Sequence, residues 1–305
     1  MFSLSTCWNS HRHPDGEQIV QEAAALGFRY IELSHGLKLT QIPGLLGALK
    51  TTGVSVSSVH NFCPPPVESQ MDAPDLYEFT SHRVEERDRA LRLTEQTLEF
   101  AARVGAPVAV LHLGSVRMKS LTADLERLAL AGRMYSREYT KVKLDLVARR
   151  AKASSSYLDR VKAALDRFLP SCERHQVRLG LETRSHFEQI PNEPEILALL
   201  DHYKDCPWIG SWHDFGHVQR KANLGLLDHA ELLQSIAPRL FGCHIHDVEW
   251  PARDHRVPGA GRVDFDKLLP HIPRNIPWVW ELSPGQKRAE VAERSEVWRR
   301  KWELG

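Results

Sequence analysis

The chain lacks any CxxC pair and any even cysteine framework: Cys7, Cys63, Cys172, Cys206 and Cys243 stand apart. Free thiols in a reducing cytosol are the expectation. No stretch reaches the roughly 18 apolar residues that a membrane span needs, so no membrane partner is expected. The N-terminus, MFSLSTCWNSHRHPDG, has no apolar run preceded by positive charge. It does not read as a signal peptide, and a cytoplasmic location follows as an expectation. There is no excess of one charge either: 40 basic side chains face 39 acidic ones, for a net charge of +1. That is no footprint for a nucleic-acid binder or an anionic membrane surface. Internal repeats, low-complexity segments and a domain boundary are also missing.

What is present is a rhythm. Eight short apolar runs fall at residues 2–8, 30–34, 54–60, 107–113, 177–183, 207–214, 240–247 and 278–282. Helical patterns separate them, at 15–26, 39–51, 81–104, 158–174, 193–203, 226–237, about 264–270 and 288–302. Strands alternating with helices imply parallel pairing, hence an α/β fold. Eight units favour a closed (β/α)8 TIM barrel, and such a barrel commonly needs about 250 residues. One domain over residues 1–305 is therefore expected. Residues 115–156 break the rhythm. They are helical in composition and rich in Lys and Arg, and read as an insertion after the fourth strand, suited to a lid or a subunit contact.

The second feature is what stands at the strand ends. The runs LGLET, WIGSWHDFGH, FGCHIHD and WVWELS finish on Glu182, Asp214, His244 with His246, and Glu281. Earlier runs carry Glu32, His60 and His112. Any one of these is an ordinary polar strand end taken alone. Four consecutive strands ending this way is another matter, because a barrel brings the C-terminal ends of its strands to one mouth. Two glutamates, an aspartate and a histidine form a mixed oxygen and nitrogen donor set. Hard or borderline cations suit it: Mn²⁺, Mg²⁺, Co²⁺ or Zn²⁺. Cys243 falls on the opposite strand face from His244, so a thiolate ligand is not expected. His244 and His246 share a face; His244 is the expected ligand and His246 the reserve.

Further candidates lie in the loops. His217 follows Asp214 by three residues. DHRVPGAG places His255 and Arg256 before a turn that can bring backbone close to a ligand; a solvated loop is the plain alternative. Glu188, six residues past Glu182, is a weaker candidate for a substrate hydroxyl. His11, Arg12 and His13 read better as a surface loop. Trp8, Phe62 and Trp212 can wall a sugar ring, with core packing as the ordinary alternative.

The motifs VHNFCP, VLHLGS, LGLET, HDFGH, HIHD, HRVPGAG and VWELS, in this order, resemble the xylose isomerase-like barrel superfamily. That group holds sugar isomerases, ketose 3-epimerases, inosose dehydratases and the endonuclease IV type of nuclease. The resemblance implies one divalent metal ion on Glu182, Asp214, His244 and Glu281. It implies substrate contact by His217; His60, His112, Glu188, His255, Arg256 and His246 complete the candidates for the substrate pocket. In ketose epimerases the glutamates at the positions of Glu182 and Glu281 exchange the carbon-bound proton. The implied activity is isomerisation or epimerisation of a sugar or keto-sugar, through proton abstraction and a metal-stabilised enediolate. A lyase or dehydratase on a keto-sugar or inositol-like compound shares that first step. An abasic-site phosphodiesterase would use His60, His112 and His217 for further zinc ions, but Arg253 stands where its aspartate ligand would be. A barrel that binds sugar without catalysis is a fourth reading. A small sugar-like partner and a homo-oligomer complete what the resemblance implies.

Overall fold

In the computed structural model, residues 1–66 and 74–304 are described. In chain order the elements begin β1 (Phe2–Ser5), α1 (Gly16–Ala25), β2 (Tyr30–Leu33), α2 (Ile42–Thr52), β3 (Ser55–His60), α3 (Val84–Val104) and β4 (Val108–Leu111). The insertion follows as α4 (Leu121–Leu130) and α5 (Arg137–Ala153), and α6 (Ser155–His175) leads back to β5 (Arg178–Glu182). Then come α7 (Glu193–His202), β6 (Ile209–Asp214), α8 (Phe215–Asn223), α9 (His229–Ile236), β7 (Leu240–Ile245), β8 (Asp247–Glu249) and β9 (Arg253–Arg256). The chain closes with α10 (Phe265–Leu268), β10 (Trp278–Trp280) and α11 (Arg288–Trp302).

Eight of these strands form a closed parallel barrel in the order β1-β10-β7-β6-β5-β4-β3-β2, as the alternating pattern predicts. Closure is made by β1 against β10, with Phe2 opposite Trp278 and Leu4 opposite Trp280. Three elements, β8, β9 and α8, differ from the sequence reading. The loop after β7 contains an antiparallel hairpin, β8 with β9. A helix, α8, also starts directly after β6, where a loop was expected. Asp214 ends the strand and caps the helix at once, its carboxylate accepting the His217 N–H at 2.7 Å. The glycine and polar residues of HDFGH hide that helix start.

The barrel interior is plugged below its mouth. Alternation along β6 turns Trp212 and Asp214 inward, and Trp212 packs with Val108, Val110 and Val279. The indole needs space from its neighbours. A β-carbon on Gly242 would lie 2.1 Å from Trp212 Cζ3, and one on Gly180 3.1 Å from Cε3. The glycines in LGLE and FGCHIH thus seat a tryptophan floor under the strand-end acids. Trp212, Trp8 and Phe62 are all buried in the hydrophobic core.

The insertion is fastened rather than free. Leu121, Leu125, Leu128, Tyr139 and Leu146 pack with Phe187 and Leu224 in a second, smaller core. Arg150, fully buried, donates to the carbonyls of Phe187 and Gln189, each at 3.1 Å, and to Glu195 at 2.7 Å.

Gly242→Ala should destabilise the fold by about 1–3 kcal/mol through overpacking against Trp212. Gly47→Ala, on α2 with nothing within 4 Å of the added carbon, should instead stabilise by about 0.5–1 kcal/mol. Denaturant unfolding of the two variants checks the contrast.

Candidate metal centre and active-site cavity

Four of the strand-end residues meet around the His244 imidazole. Its Nδ1 lies 3.3 Å from Glu281 Oε2, 3.5 Å from Asp214 Oδ2 and 3.8 Å from Glu182 Oε1. Behind it, Nε2 sits 3.1 Å from Glu32 Oε2, and Ser58 Oγ donates to that same oxygen at 2.8 Å. Glu32 thus occupies the far side of the ring and leaves Nδ1 for the cluster. Glu182, Asp214 and His244 offer ligand atoms that all lie within 4.8 Å of one another. Glu182 Oε2 also meets His60 Nε2 at 3.1 Å and His112 Nε2 at 3.0 Å, while Oε1 meets His217 Nδ1 at 3.1 Å.

These carboxylates are buried together, and their proton affinities diverge. Burial opposes ionisation of Glu182, but His112, His217 and His244 hold it well below the usual carboxylate range. Asp214 behaves likewise: burial opposes its charge, and His217, His246 and His244 more than compensate. Burial works against a charged His244, yet Glu281, Glu32 and Asp214 raise it well above the ordinary imidazole value. Glu281 goes the other way. Burial comes first, resisted by His244 and reinforced by Glu182, Glu32 and Asp214, and pushes it up to about 8.

Above the cluster opens a cavity of about 330 Å³, lined by His35, His60, His112, Glu182, Arg184, His186, His217, Arg220, Asp254, His255 and Glu281 among others. His60, His112, His217 and His255 are therefore brought together as expected candidates. Glu188 and Arg256 are not among the lining residues. Both Glu188 oxygens are used at the start of α4, accepting the N–H groups of Leu121 at 2.6 Å and Thr122 at 2.9 Å and the Thr122 hydroxyl at 2.6 Å. Arg256 points along the hairpin and donates to Glu249 at 2.8 Å. His246 lies behind Asp214, with Nε2 3.0 Å from Oδ1, and does not line the cavity. Arg12 and His13 pair with Glu22 outside the site.

Several cavity residues escaped the sequence reading. Arg184 lies two residues past Glu182, just beyond the end of β5, a spacing that alternation would put on the same side. It is 2% exposed, and its Nε and Nη1 have no hydrogen-bond partner. Its Nη2 donates to Asp75 at 2.9 Å. Arg220 sits one helical turn past His217, on the helix that went unrecognised. It links Glu126 of α4, at 2.8 Å, to Asp254 of β9, at 2.7 Å. His35 follows Glu32 by three residues and stands edge-on to His60 at 4.8 Å. Asp75 had no local signal at all.

The sequence profile of the xylose isomerase-like TIM barrel matches residues 20–295. The chain belongs to that family. None of the curated proteins matches it in sequence. Among solved structures it resembles a D-tagatose 3-epimerase-like protein, at 16% identity and TM-score 0.68, over 99% of this chain and 97% of that one. It also resembles the 3-keto-D-glucoside 4-epimerase of E. coli, at 17% identity and TM-score 0.66, over 98% of both chains. A third is the IolI protein with a bound zinc, at 14% identity and TM-score 0.64, over 97% of this chain and 95% of that one. At these identities the likeness is one of fold.

The residues of this xylose isomerase-like barrel fit a divalent ion. Glu182 Oε1 and His244 Nδ1 are both buried and make no well-aligned hydrogen bond, although His217 Nδ1 stands 3.1 Å from the former, and each faces the other across the acidic cluster. Buried polar atoms are ordinarily paired or coordinate a metal. The donors are three carboxylates and an imidazole, which suit a hard or borderline cation.

The metal-free chain should show the charge on Glu281 in its stability. Folding raises this group from 4.5 to about 8. Between those values the folded chain holds a proton that the unfolded chain has released. Its contribution is complete below about pH 4.5 and declines as pH rises towards 8, by at most about 1.4 kcal/mol per pH unit. Glu281→Gln should remove this slope. Denaturant unfolding of both metal-free proteins at several values between pH 5 and pH 8 measures the difference.

Proposed function

We propose that this chain is a divalent-metal-dependent isomerase or epimerase acting on a sugar or keto-sugar by proton transfer. The observation that carries the reading is the meeting of Glu182, Asp214, His244 and Glu281 beneath one polar cavity that Glu182 and Glu281 line, with Glu182 Oε1 and His244 Nδ1 turned towards each other in the cluster. Those four residues would hold the ion. When bound, it supplies a Lewis acid for a carbonyl and a neighbouring hydroxyl, which acidifies the adjacent C–H.

The chain's own part is proton handling and orientation. Glu182 and Glu281 come from different strands of the barrel, with His244 between them. One carboxylate removes the carbon-bound proton and the other returns one, so the configuration or carbonyl position changes. His60, His112 and His217 surround Glu182 and keep it ionised for that task. His217, His255 and Arg184 line the same cavity and would meet substrate oxygens. An uncharged polyol suits these walls, where burial lowers the proton affinity of His35, His186 and His255 and Arg220 is already paired with Glu126 and Asp254.

A second reading rests on one specific contact. His60 and His112 both approach Glu182 Oε2, and these three could hold a further ion. That is the arrangement of a multi-zinc phosphodiesterase. Against it, Arg253 is exposed and paired with Glu249, so no aspartate stands at the position a third ion would need. Metal analysis of the purified protein separates the two: about one ion per chain on the first reading, about three with cleavage of an abasic duplex on the second.

The direct test is incubation of the metal-loaded protein with a panel of keto-sugars in D₂O. Deuterium should enter at the carbon beside the carbonyl. Loss of water from the substrate would identify a lyase, and sugar binding without exchange a non-catalytic barrel. Glu182→Gln and Glu281→Gln should each lower exchange by about 10²–10⁴-fold while circular dichroism stays native. Asp214→Ala should lower metal occupancy. Full exchange in Glu281→Gln would overturn the proton-transfer assignment.

A further inference from the structure

His246 is fully buried, yet it is neither on the cavity wall nor in the donor set. Its two nitrogens explain why. Nδ1 accepts the backbone N–H of His255 at 2.8 Å. A backbone amide can only donate, so Nδ1 carries no proton and the neutral ring keeps its proton on Nε2. Nε2 lies 3.0 Å from Asp214 Oδ1 and 3.1 Å from Oδ2, and donates to that carboxylate. Both nitrogens are committed. His217, His246 and His255 cluster closely enough to suggest a metal site, but as placed His246 has no lone pair to give.

The ring also has a made-to-measure seat. A β-carbon on Gly216 would lie 2.0 Å from His246 Cε1 and 2.2 Å from Nδ1, so only glycine at that position admits the imidazole. On its other face the ring stacks on His255, with centroids 4.0 Å apart and planes at 17°. His255 itself has φ of +52°, in the left-handed region that a side chain rarely adopts. Two contacts meet it there: the bond from its N–H to His246, and its own Nδ1 against the Glu281 carbonyl at 3.1 Å.

We propose that His246 is a positioning residue that fixes Asp214 and His255 together. It aims the carboxylate from behind and holds the hairpin that presents His255 to the cavity. The metal arm rests on the reading above, that Asp214 is a ligand. The His255 arm does not.

The two bonds can be cut separately in the full-length protein. Asn at this position keeps an acceptor near Nδ1 and loses the donor to Asp214. Gln keeps a donor near Nε2 and loses the acceptor for His255. His246→Asn should weaken Mn²⁺ binding by about 10–100-fold, the usual cost of losing a partner behind a ligand, while the His255 amide stays protected from hydrogen exchange. His246→Gln should hold Mn²⁺ affinity within about threefold and lose that protection. Gly216→Ala, which evicts the ring, should show both losses. Titration calorimetry with Mn²⁺ and amide exchange by NMR are the readouts, with melting temperature as the check on folding. Equal effects of Asn and Gln on both readouts, or none on either, would overturn the proposal. Should the wild-type chain take up no Mn²⁺, the donor-set reading and the Asp214 half of this proposal both fail. The His255 amide then decides the remaining half by itself.

Discussion

Four carboxylates, Glu32, Glu182, Asp214 and Glu281, are buried around a single imidazole, and every other feature of the site answers to that fact. Isolated burial of one carboxylate costs several kcal/mol after relaxation, so four together must be heavily compensated. The compensation is visible on every side. His60, His112 and His217 crowd Glu182, His217 and His246 hold Asp214, and His244 lies against Glu32. Glu281 shares His244 with the other acids and meets His255 only at 3.7 Å, and it is the one whose proton affinity rises. A dication among the three inward-facing acids would take the place of that proton. The cluster is thus built with one charge too many for imidazoles alone.

The barrel sets the conditions for this crowding. Parallel closure points each strand's C-terminal end at one mouth, and alternation along the strands decides which residues face in. Trp212 then blocks the interior directly below, fitted between Gly180 and Gly242. The plug keeps the acids in a shallow, walled bowl. It also leaves His244 against an indole edge, with ring centroids 5.1 Å apart, where a low dielectric strengthens each charge contact above it.

How far the sequence reveals this depends on the range of the contact involved. Strand ends on a barrel converge by topology, so Glu182, Asp214, His244 and Glu281 are legible one strand at a time. Their neighbours are not. Glu188 has the spacing of a substrate contact, but its carboxylate is taken by the N–H groups of Leu121 and Thr122. Those partners belong to the insertion, and no local pattern announces them. Alternation places His244 and His246 on one face alike. Only the His255 backbone, arriving from an unrecognised hairpin, decides that His246 is clamped and His244 is open. Arg256 fails for the same reason: once β9 exists, it faces Glu249 while His255 faces the cavity. Asp75, which reaches both His112 and Arg184, lies in a stretch without periodicity.

The insertion gains its meaning from these long-range contacts. Glu188 sits at its first helix, Arg150 grips the carbonyls on either side of that acid, and Glu126 anchors Arg220. Arg220 in turn reaches Asp254 on the hairpin. The β5 loop, α8 and β9 are therefore tied to one helical brace across the cavity rim. Such a brace converts loop residues into scaffold. Arg220, with carboxylates on both sides, stiffens the rim and has little charge left to offer a ligand. Arg184 differs: it spends one nitrogen on Asp75, while Nε makes no hydrogen bond and Nη1 only a loose ion pair with Glu182 at 3.8 Å. The two arginines of the cavity thus divide the work between holding the wall and facing what the wall encloses.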